Sequence, residues 1–324
     1  MFKICLIGCG DIATHQHGPA IKLYEKLHAN AIFAACCDID QARAITFQET
    51  FNLPMFYTDI DEMLDSENPD VVSLNVPTHM TAALSCKILN RGFPLILEKP
   101  PGLDTAETLM MMKSAKDIPN CVAFNRPHMP VVGNFTKQIK PHEILDISYR
   151  MLRVSRLDPD FSTTAIHGID LVKYITGADY KQVNFMYQEQ GRSFHMGCEM
   201  ENGIIASLDF LPMSGVNTER LEINTTKGLF ILHLPIWAGC HDGAGKFIHY
   251  ENNIETIHEI IPAEGFILGG FYRENERFFN ELRQDELRHE EDLYFYEDYT
   301  ISSGLQAVEI ADCIRKRRKN YAKS

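Results

Sequence analysis

The chain has 324 residues, room for two domains of ordinary size. Hydrophobic residues make up 45 %, and no apolar run approaches the ~18 residues of a membrane span, so no membrane association is expected. Acidic residues outnumber basic ones 44 to 31, a formal charge of −13 that repels phosphates and argues against a nucleic-acid partner.

The first residues, Met1 to Gly8, hold an apolar stretch too short for a signal peptide that runs straight into a glycine turn. They read as the first strand of a cytoplasmic protein. The nine cysteines include the neighbours Cys36 and Cys37 but no C-x-x-C pair. That spacing fits buried thiols rather than a disulfide framework or a zinc ribbon. No internal repeat or low-complexity segment interrupts the chain.

Along the first ~120 residues, strands alternate with helices, the pattern of a parallel sheet covered by helices. Strands are predicted at 2–7, 31–37, 71–76, 95–97 and 121–124. Helices are predicted at 81–90 and from Asp104, with Glu107 completing a capping box. Beyond residue ~140 the segments 143–152, 183–187, 195–200, 204–210, 221–225 and 229–234 read as strands of a mostly antiparallel sheet. A helix over 164–176 closes on Gly177, and two more are predicted at 272–283 and 301–315. The fold class is α/β: a Rossmann dinucleotide-binding domain at 1–122, then an α+β domain at 123–324 with a mostly antiparallel open sheet. The second domain would serve substrate binding and oligomerisation, and the final helix, 301–316, can pack back on the first. The basic run Arg315 to Lys319 reads as a solvated helix C-terminus, and Trp237 to Gly243 as a plain loop.

Gly8-Cys9-Gly10-Asp11-Ile12-Ala13 follows the first strand and opens a helix. Gly8 allows the tight turn, Gly10 lets the backbone approach a pyrophosphate, and Ala13 permits close helix–strand packing. Exposed amides at the helix start, around Asp11 and Ile12, can hold the phosphates. The second strand ends at Asp38, about 30 residues after the first glycine where ~20 is usual. A carboxylate there can bind the adenosine ribose hydroxyls and would repel the extra phosphate of NADP. Ile39, Asp40 and Gln41 follow, with no Arg or Lys at once, so NAD is predicted over NADP. The His15/His17 pair lacks the carboxylate or cysteine partners of a metal site, and no metal is predicted.

Leu95-Ile96-Leu97-Glu98-Lys99-Pro100 resembles the Glu-Lys-Pro signature of the glucose-fructose oxidoreductase / inositol dehydrogenase (Gfo/Idh/MocA) family. Val76-Pro77-Thr78-His79 is similar to that family's strand-end loop near the cofactor ribose, which adds Asn75, Pro77 and His79 to the cofactor set. His17-Gly18-Pro19-Ala20 resembles its first helix, Phe124-Asn125-Arg126 its domain crossover, and 303–314 its final helix. The likeness covers nearly the whole chain. It implies that Lys99 polarises the substrate oxygen, that Glu98 lies by the nicotinamide ribose, that Asn125 contributes to the cofactor site and that the Lys99-Pro100 peptide is cis.

His167-Gly168-Ile169-Asp170 resembles the family's His-x-x-Asp segment, whose histidine is the proton acceptor. On a helix, Ala165, Ile169 and Val172 form an apolar stripe, with His167, Asp170 and Tyr174 on the other side. Asp170 could orient the imidazole or serve only the helix face. The chain departs from the inositol type at Thr163, where the family carries an aspartate, and Asp160 is the nearby carboxylate that could substitute. Arg126, His128, Arg153 and Arg156 are candidate substrate contacts, though each taken singly reads as a surface residue. Thr163 and Asp170 complete the substrate set.

These residues support an NAD(P)-dependent oxidoreductase. It would move a hydride between nicotinamide and a hydroxyl or carbonyl of a sugar, polyol or related small molecule, as a dimer or tetramer. The alternatives are an NAD-dependent glycoside hydrolase that uses transient oxidation and a non-catalytic dinucleotide-binding regulator.

Overall fold

The computed structural model describes residues 1–236, 243–284 and 298–323. The chain divides into two units. The first is built from the described residues of 1–124, 271–284 and 299–305. The second is built from those of 125–270 and 306–323.

In the first unit six strands form an all-parallel sheet. They are β1 (Phe2–Ile7), β2 (Ala31–Cys37), β3 (Met55–Tyr57), β4 (Val71–Leu74), β5 (Leu95–Glu98) and β6 (Asn120–Ala123). Their order is β3-β2-β1-β4-β5-β6, the Rossmann arrangement, with its switch point between β1 and β4. The central strands are nearly continuous apolar runs because helices cover both faces of a parallel sheet. Those helices are α1 (Gly18–Leu27), α2 (Gln41–Phe51), α3 (Ile60–Glu67), α4 (Thr78–Asn90) and α5 (Thr105–Ala115).

Caps set the helix boundaries. Asp40 accepts the N–H groups of Ala42 and Arg43 at the start of α2, and Asp59 accepts that of Glu62 in α3. Asp104 accepts the Glu107 N–H, as the sequence predicts. The Glu107 carboxylate, however, takes the N–H of Leu103 rather than that of Asp104, so the reciprocal box is displaced by one residue.

The three-residue β3 carries no periodic signal long enough to read in sequence. A far segment of chain, α9 (Phe271–Arg283), completes this unit's core. Phe278 and Phe279 join Tyr24, Phe33 and Phe47 there. Each such ring contributes about 1.5–3 kcal/mol by leaving water. The Tyr24 hydroxyl donates to Asn280 Oδ1 at 2.8 Å, so the one polar end of that ring is satisfied.

In the second unit α6 (Pro130–Thr136) precedes β7 (Ile144–Val154) and α7 (Ser162–Thr176). Strands β8 (Tyr180–Tyr187), β9 (Phe194–Met200), β10 (Ile205–Ser214), β11 (Thr218–Thr225), β12 (Gly228–His233), β13 (Lys246–Glu251) and β14 (Ile254–Glu259) follow, then the short α8 (Gly265–Leu268). The helix α10 (Ile301–Arg315) begins in the first unit and continues in the second, where β15 (Asn320–Ala322) ends the ordered elements. The nine strands run β14-β13-β12-β11-β7-β10-β9-β8-β15. All pairs are antiparallel except β7 with β10. β13, β14 and β15 were not legible in sequence. β14 is exposed along most of its length, so no apolar alternation marks it.

Helix α7 corrects one expectation. The side opposite its apolar stripe is not solvated. Ala165, Ile166, His167, Gly168, Ile169, Leu171, Val172, Lys173 and Tyr174 are all buried, and Asp170 is half-buried. Gly168, at the edge of the stripe beside Val172, packs closely on β7: a Cβ there would fall 2.2 Å from the Tyr149 ring. Gly177 ends the helix in the left-handed region, as expected. The run Arg315 to Lys319 is exposed, from the last residue of α10 onward. Most of the Trp237–Gly243 loop lies outside the described residues.

Candidate active site

In the first unit the cofactor candidates gather at the carboxyl ends of β1, β2, β4 and β5. The chain leaves β1 through Gly8, whose φ is +91°. Gly8 donates its N–H to Cys37 O at 2.8 Å, and Asn75 donates to Ile7 O at 2.7 Å, so the turn is stitched to both neighbouring strands. Gly10 differs: no atom lies within 4 Å of the place its Cβ would occupy. That open space beside helix-start amides suits a pyrophosphate.

Asp38 is buried at the end of β2. One carboxylate oxygen accepts the Cys9 N–H at 2.8 Å and the other the Asp40 N–H at 2.9 Å. An ionised carboxylate offers about four lone-pair sites, so capacity remains for ribose hydroxyls. Ile39 next to it is 89 % exposed. The first cation after Asp38 is Arg43 on α2, already paired with Asp40 at 3.5 Å. These features fit a dinucleotide with an unmodified adenosine ribose.

Asp11 and His15 are exposed and pair at 3.3 Å. Ile12 is half-buried. Asn75 is buried, its amide donating to Ser73 Oγ, while Pro77 and His79 are exposed where α4 begins. Glu98 and Lys99 are half-buried at the end of β5, and the Lys99-Pro100 peptide is cis. One Glu98 oxygen lies 2.9 Å from His17 Nε2, and the other accepts the Lys99 N–H at 3.1 Å. Burial pushes the Glu98 carboxyl up, but the hydrogen bond from His17 and the charge of Lys99 outweigh it. The group is held below the usual carboxylate range. The sequence analysis weighed His17 as a metal ligand and as part of the first-helix resemblance, and missed this pair. The only signal in the sequence was a histidine one turn past the glycine loop.

The remaining candidate residues belong to the second unit. Asn125 donates to Gly269 O at 2.8 Å and accepts from Arg126 at 2.9 Å, so its side chain ties the crossover in place. Arg126 and Arg153 are buried, not surface residues. Both pair with Glu219, itself 0 % exposed: Arg126 grips both carboxylate oxygens at 3.2 Å, and Arg153 reaches one at 2.5 Å. Tyr149 donates its hydroxyl to the same carboxylate at 2.7 Å. Burial pushes Glu219 up, yet the two guanidinium groups hold it down to about 2. Sequence reasoning did not find Glu219. His128 is also buried, and Arg156 pairs with Asp158 at 2.6 Å.

His167 is buried on α7, 8 % exposed. Asp170 forms no hydrogen bond to it among the described residues, and the Asp170 Oδ2 is buried without a partner there. Burial pushes that carboxyl up to about 7 against the opposing charge of Lys173. Thr163 donates its hydroxyl to Asp160 O at 2.9 Å. Asp160 caps Ser162 through one carboxylate oxygen and pairs with Arg315 at 2.9 Å through the other. Both oxygens of the candidate replacement carboxylate are therefore engaged at the start of α7. Among the described residues no group of three or more His, Cys, Asp or Glu is placed to hold a metal ion. No described helix is long and apolar enough to cross a membrane. The described cysteines are free thiols, and burial pushes Cys5, Cys37 and Cys198 up to about 12.

The strand order, the glycine turn and the carboxylate closing β2 define an NAD-binding Rossmann protein. Residues 2–125 match the family described as "Oxidoreductase family, NAD-binding Rossmann fold". Over these residues the chain matches the Gfo/Idh/MocA oxidoreductases, and it is similar to inositol dehydrogenases. It is 26 % identical over 142 residues to the uncharacterized protein YMR315W of Saccharomyces cerevisiae, covering 43 % of this chain and 40 % of that one. It is 22 % identical over 228 residues to inositol 2-dehydrogenase of Corynebacterium glutamicum, covering 64 % of this chain and 66 % of that one. The chain thus spans less than two thirds of either relative. Its fold resembles that of levoglucosan dehydrogenase in complex with NADH and L-sorbose, with a TM-score of 0.79, 17 % identity, and 99 % and 98 % of the two chains covered.

Proposed function

We propose that this chain is an NAD(H)-dependent oxidoreductase that moves a hydride between the nicotinamide and a hydroxyl or carbonyl of a sugar or polyol. The observation that carries this reading is the Glu98–Lys99 pair at the end of β5. The carboxylate is held by hydrogen bonds at the carboxyl edge of a parallel sheet, where open α/β folds bind ligands. Inositol, glucoside and levoglucosan dehydrogenases among its relatives support the substrate class.

Bound NAD would supply the hydride acceptor. Gly8, Gly10 and the first helix would seat the pyrophosphate, with Asp11, Ile12, Asn75, Pro77, His79 and Asn125 around the cofactor. Asp38 would take the adenosine ribose and disfavour NADP. Lys99 would place its ammonium at the substrate oxygen and favour the developing alkoxide. His167 would accept the proton, an imidazole being suited to acid–base work near neutrality. Because the Asp160 oxygens are engaged and position 163 is a threonine, the relay would consist of Lys99 and His167 alone.

The test is NADH absorbance during incubation of the protein and NAD with a polyol and sugar panel. NADH formation with at least one member supports the proposal. Product release without net NADH points to a hydrolase working by transient oxidation. Tight dinucleotide binding with neither outcome leaves a regulator.

A further inference from the structure

His17 is 1 % exposed at the end of a π-turn, Ala13–His17, just past the glycine loop. Such turns inside helices are frequent at functional sites. The His17 Nδ1 lies 3.2 Å from Asn275 Nδ2, and the same Nδ2 donates to Phe271 O at 2.8 Å. Flipping that amide would set its oxygen against the Phe271 carbonyl oxygen, so the nitrogen faces both partners. An amide nitrogen only donates. Nδ1 of His17 is then the acceptor, and the ring proton sits on Nε2, aimed at Glu98 Oε1 2.9 Å away. The Phe271 ring packs edge-on against the imidazole, centroids 5.3 Å apart.

Resting on the reading of Glu98–Lys99 as part of the cofactor site, we propose that His17 is a positioning residue. It holds the Glu98 carboxylate in one orientation for the ribose hydroxyls of a bound dinucleotide, and Asn275 selects its tautomer. Together with the Lys99 N–H on Oε2, the imidazole fixes both oxygens of the acid. The charged groups next to the pair along the chain are Lys99, just past β5, Glu274, buried beside Asn275 on α9, and the exposed Asp11 and His15 just before His17. When the imidazole donor is removed, burial acts on Glu98 with less to oppose it. The acid then takes a proton as pH falls, and a protonated carboxyl loses acceptor sites for hydroxyls.

The experiment is NADH titration by fluorescence on the full chain from pH 5.5 to 8.5. It compares wild type with His17→Leu, His17→Asn and His17→Gln. Leu has no donor. The Asn amide is too short to reach Glu98, whereas the Gln nitrogen reaches the place of Nε2. The expected result is binding weakened about tenfold or more at pH 5.5 in the Leu and Asn variants, closing to about threefold at pH 8.5. The Gln variant should stay within about threefold of wild type throughout. An equal loss at every pH in all three variants marks a merely structural histidine and overturns the proposal, as does no loss in any. Should the Leu variant fail to fold by circular dichroism, the contrast between Asn and Gln decides alone. A wild-type protein that does not bind NADH overturns the reading of the site, and this inference with it.

Discussion

A side chain at Gly8 would place its Cβ 2.3 Å from the carbonyl oxygen of Asn75. The obstacle is backbone, and the Gly8 φ of +91° is itself unfavourable to any other residue. Gly8→Ala should therefore destabilise the free protein by about 2–4 kcal/mol. At Gly10 the same methyl meets nothing within 4 Å. Gly10→Ala should leave the melting temperature of the free protein within about 2 °C of wild type but weaken NADH binding about tenfold or more, because the methyl fills space the pyrophosphate needs. Thermal melts and NADH titrations of both variants check the contrast.

The Glu219 carboxylate neutralises Arg126 and Arg153 inside the second unit. Glu219→Gln leaves two buried guanidinium groups without that charge and should cost about 3–5 kcal/mol. The sign with pH follows from the depressed carboxyl. Its folded value of about 2 lies below an unfolded value near ~4.3, so its stabilisation is complete above that upper value and lost as pH falls toward 2. That loss is on the order of 3 kcal/mol in the wild type. Urea unfolding at pH 7 and below pH 4 should show the gap between wild type and variant narrowing in acid.

Asp170 has the opposite sign. Burial raises its carboxyl to about 7, so the fold favours the protonated form. Its contribution is fully present below an unfolded value near ~3.9 and is lost as pH rises through 7. Asp170→Asn should remove this slope and be the more stable protein at pH 8, relative to wild type, than at pH 5. Melting temperatures of both proteins across that range test it, and a parallel pair of curves would contradict it.

For the proposed chemistry, Lys99→Ala should bind NADH within about threefold of wild type while turnover falls about a thousandfold or more, because the ammonium acts on the reacting oxygen. His167→Ala should lower kcat about 10²–10⁴-fold and remove the basic rise of activity with pH that a neutral imidazole gives. Either variant at full activity defeats its assigned role.

Local patterns in the sequence carry much of the architecture. The apolar runs 2–7 and 31–37, the glycine turn between strand and helix, and Gly177 after α7 each encode their element within a few residues. Such signals survive translation into structure because periodicity and backbone preference act locally. Where the local signal is short or the strand exposed, as in β3 and β14, nothing marks it. On α7 the pattern was incomplete, because nearly every residue of the helix is buried, His167 and Tyr174 opposite the apolar stripe included.

By itself the sequence determined the Rossmann order of elements, the dinucleotide turn and the placement of Lys99 at a strand end. Only the tertiary structure decided which charges and donors meet. His17 and Asn275 lie 258 residues apart, and Arg126 and Glu219 lie 93 apart. The physical reason is that the free energy of a buried charge or imidazole depends on partners within a few ångströms. Chain spacing sets no such distance until the fold has closed.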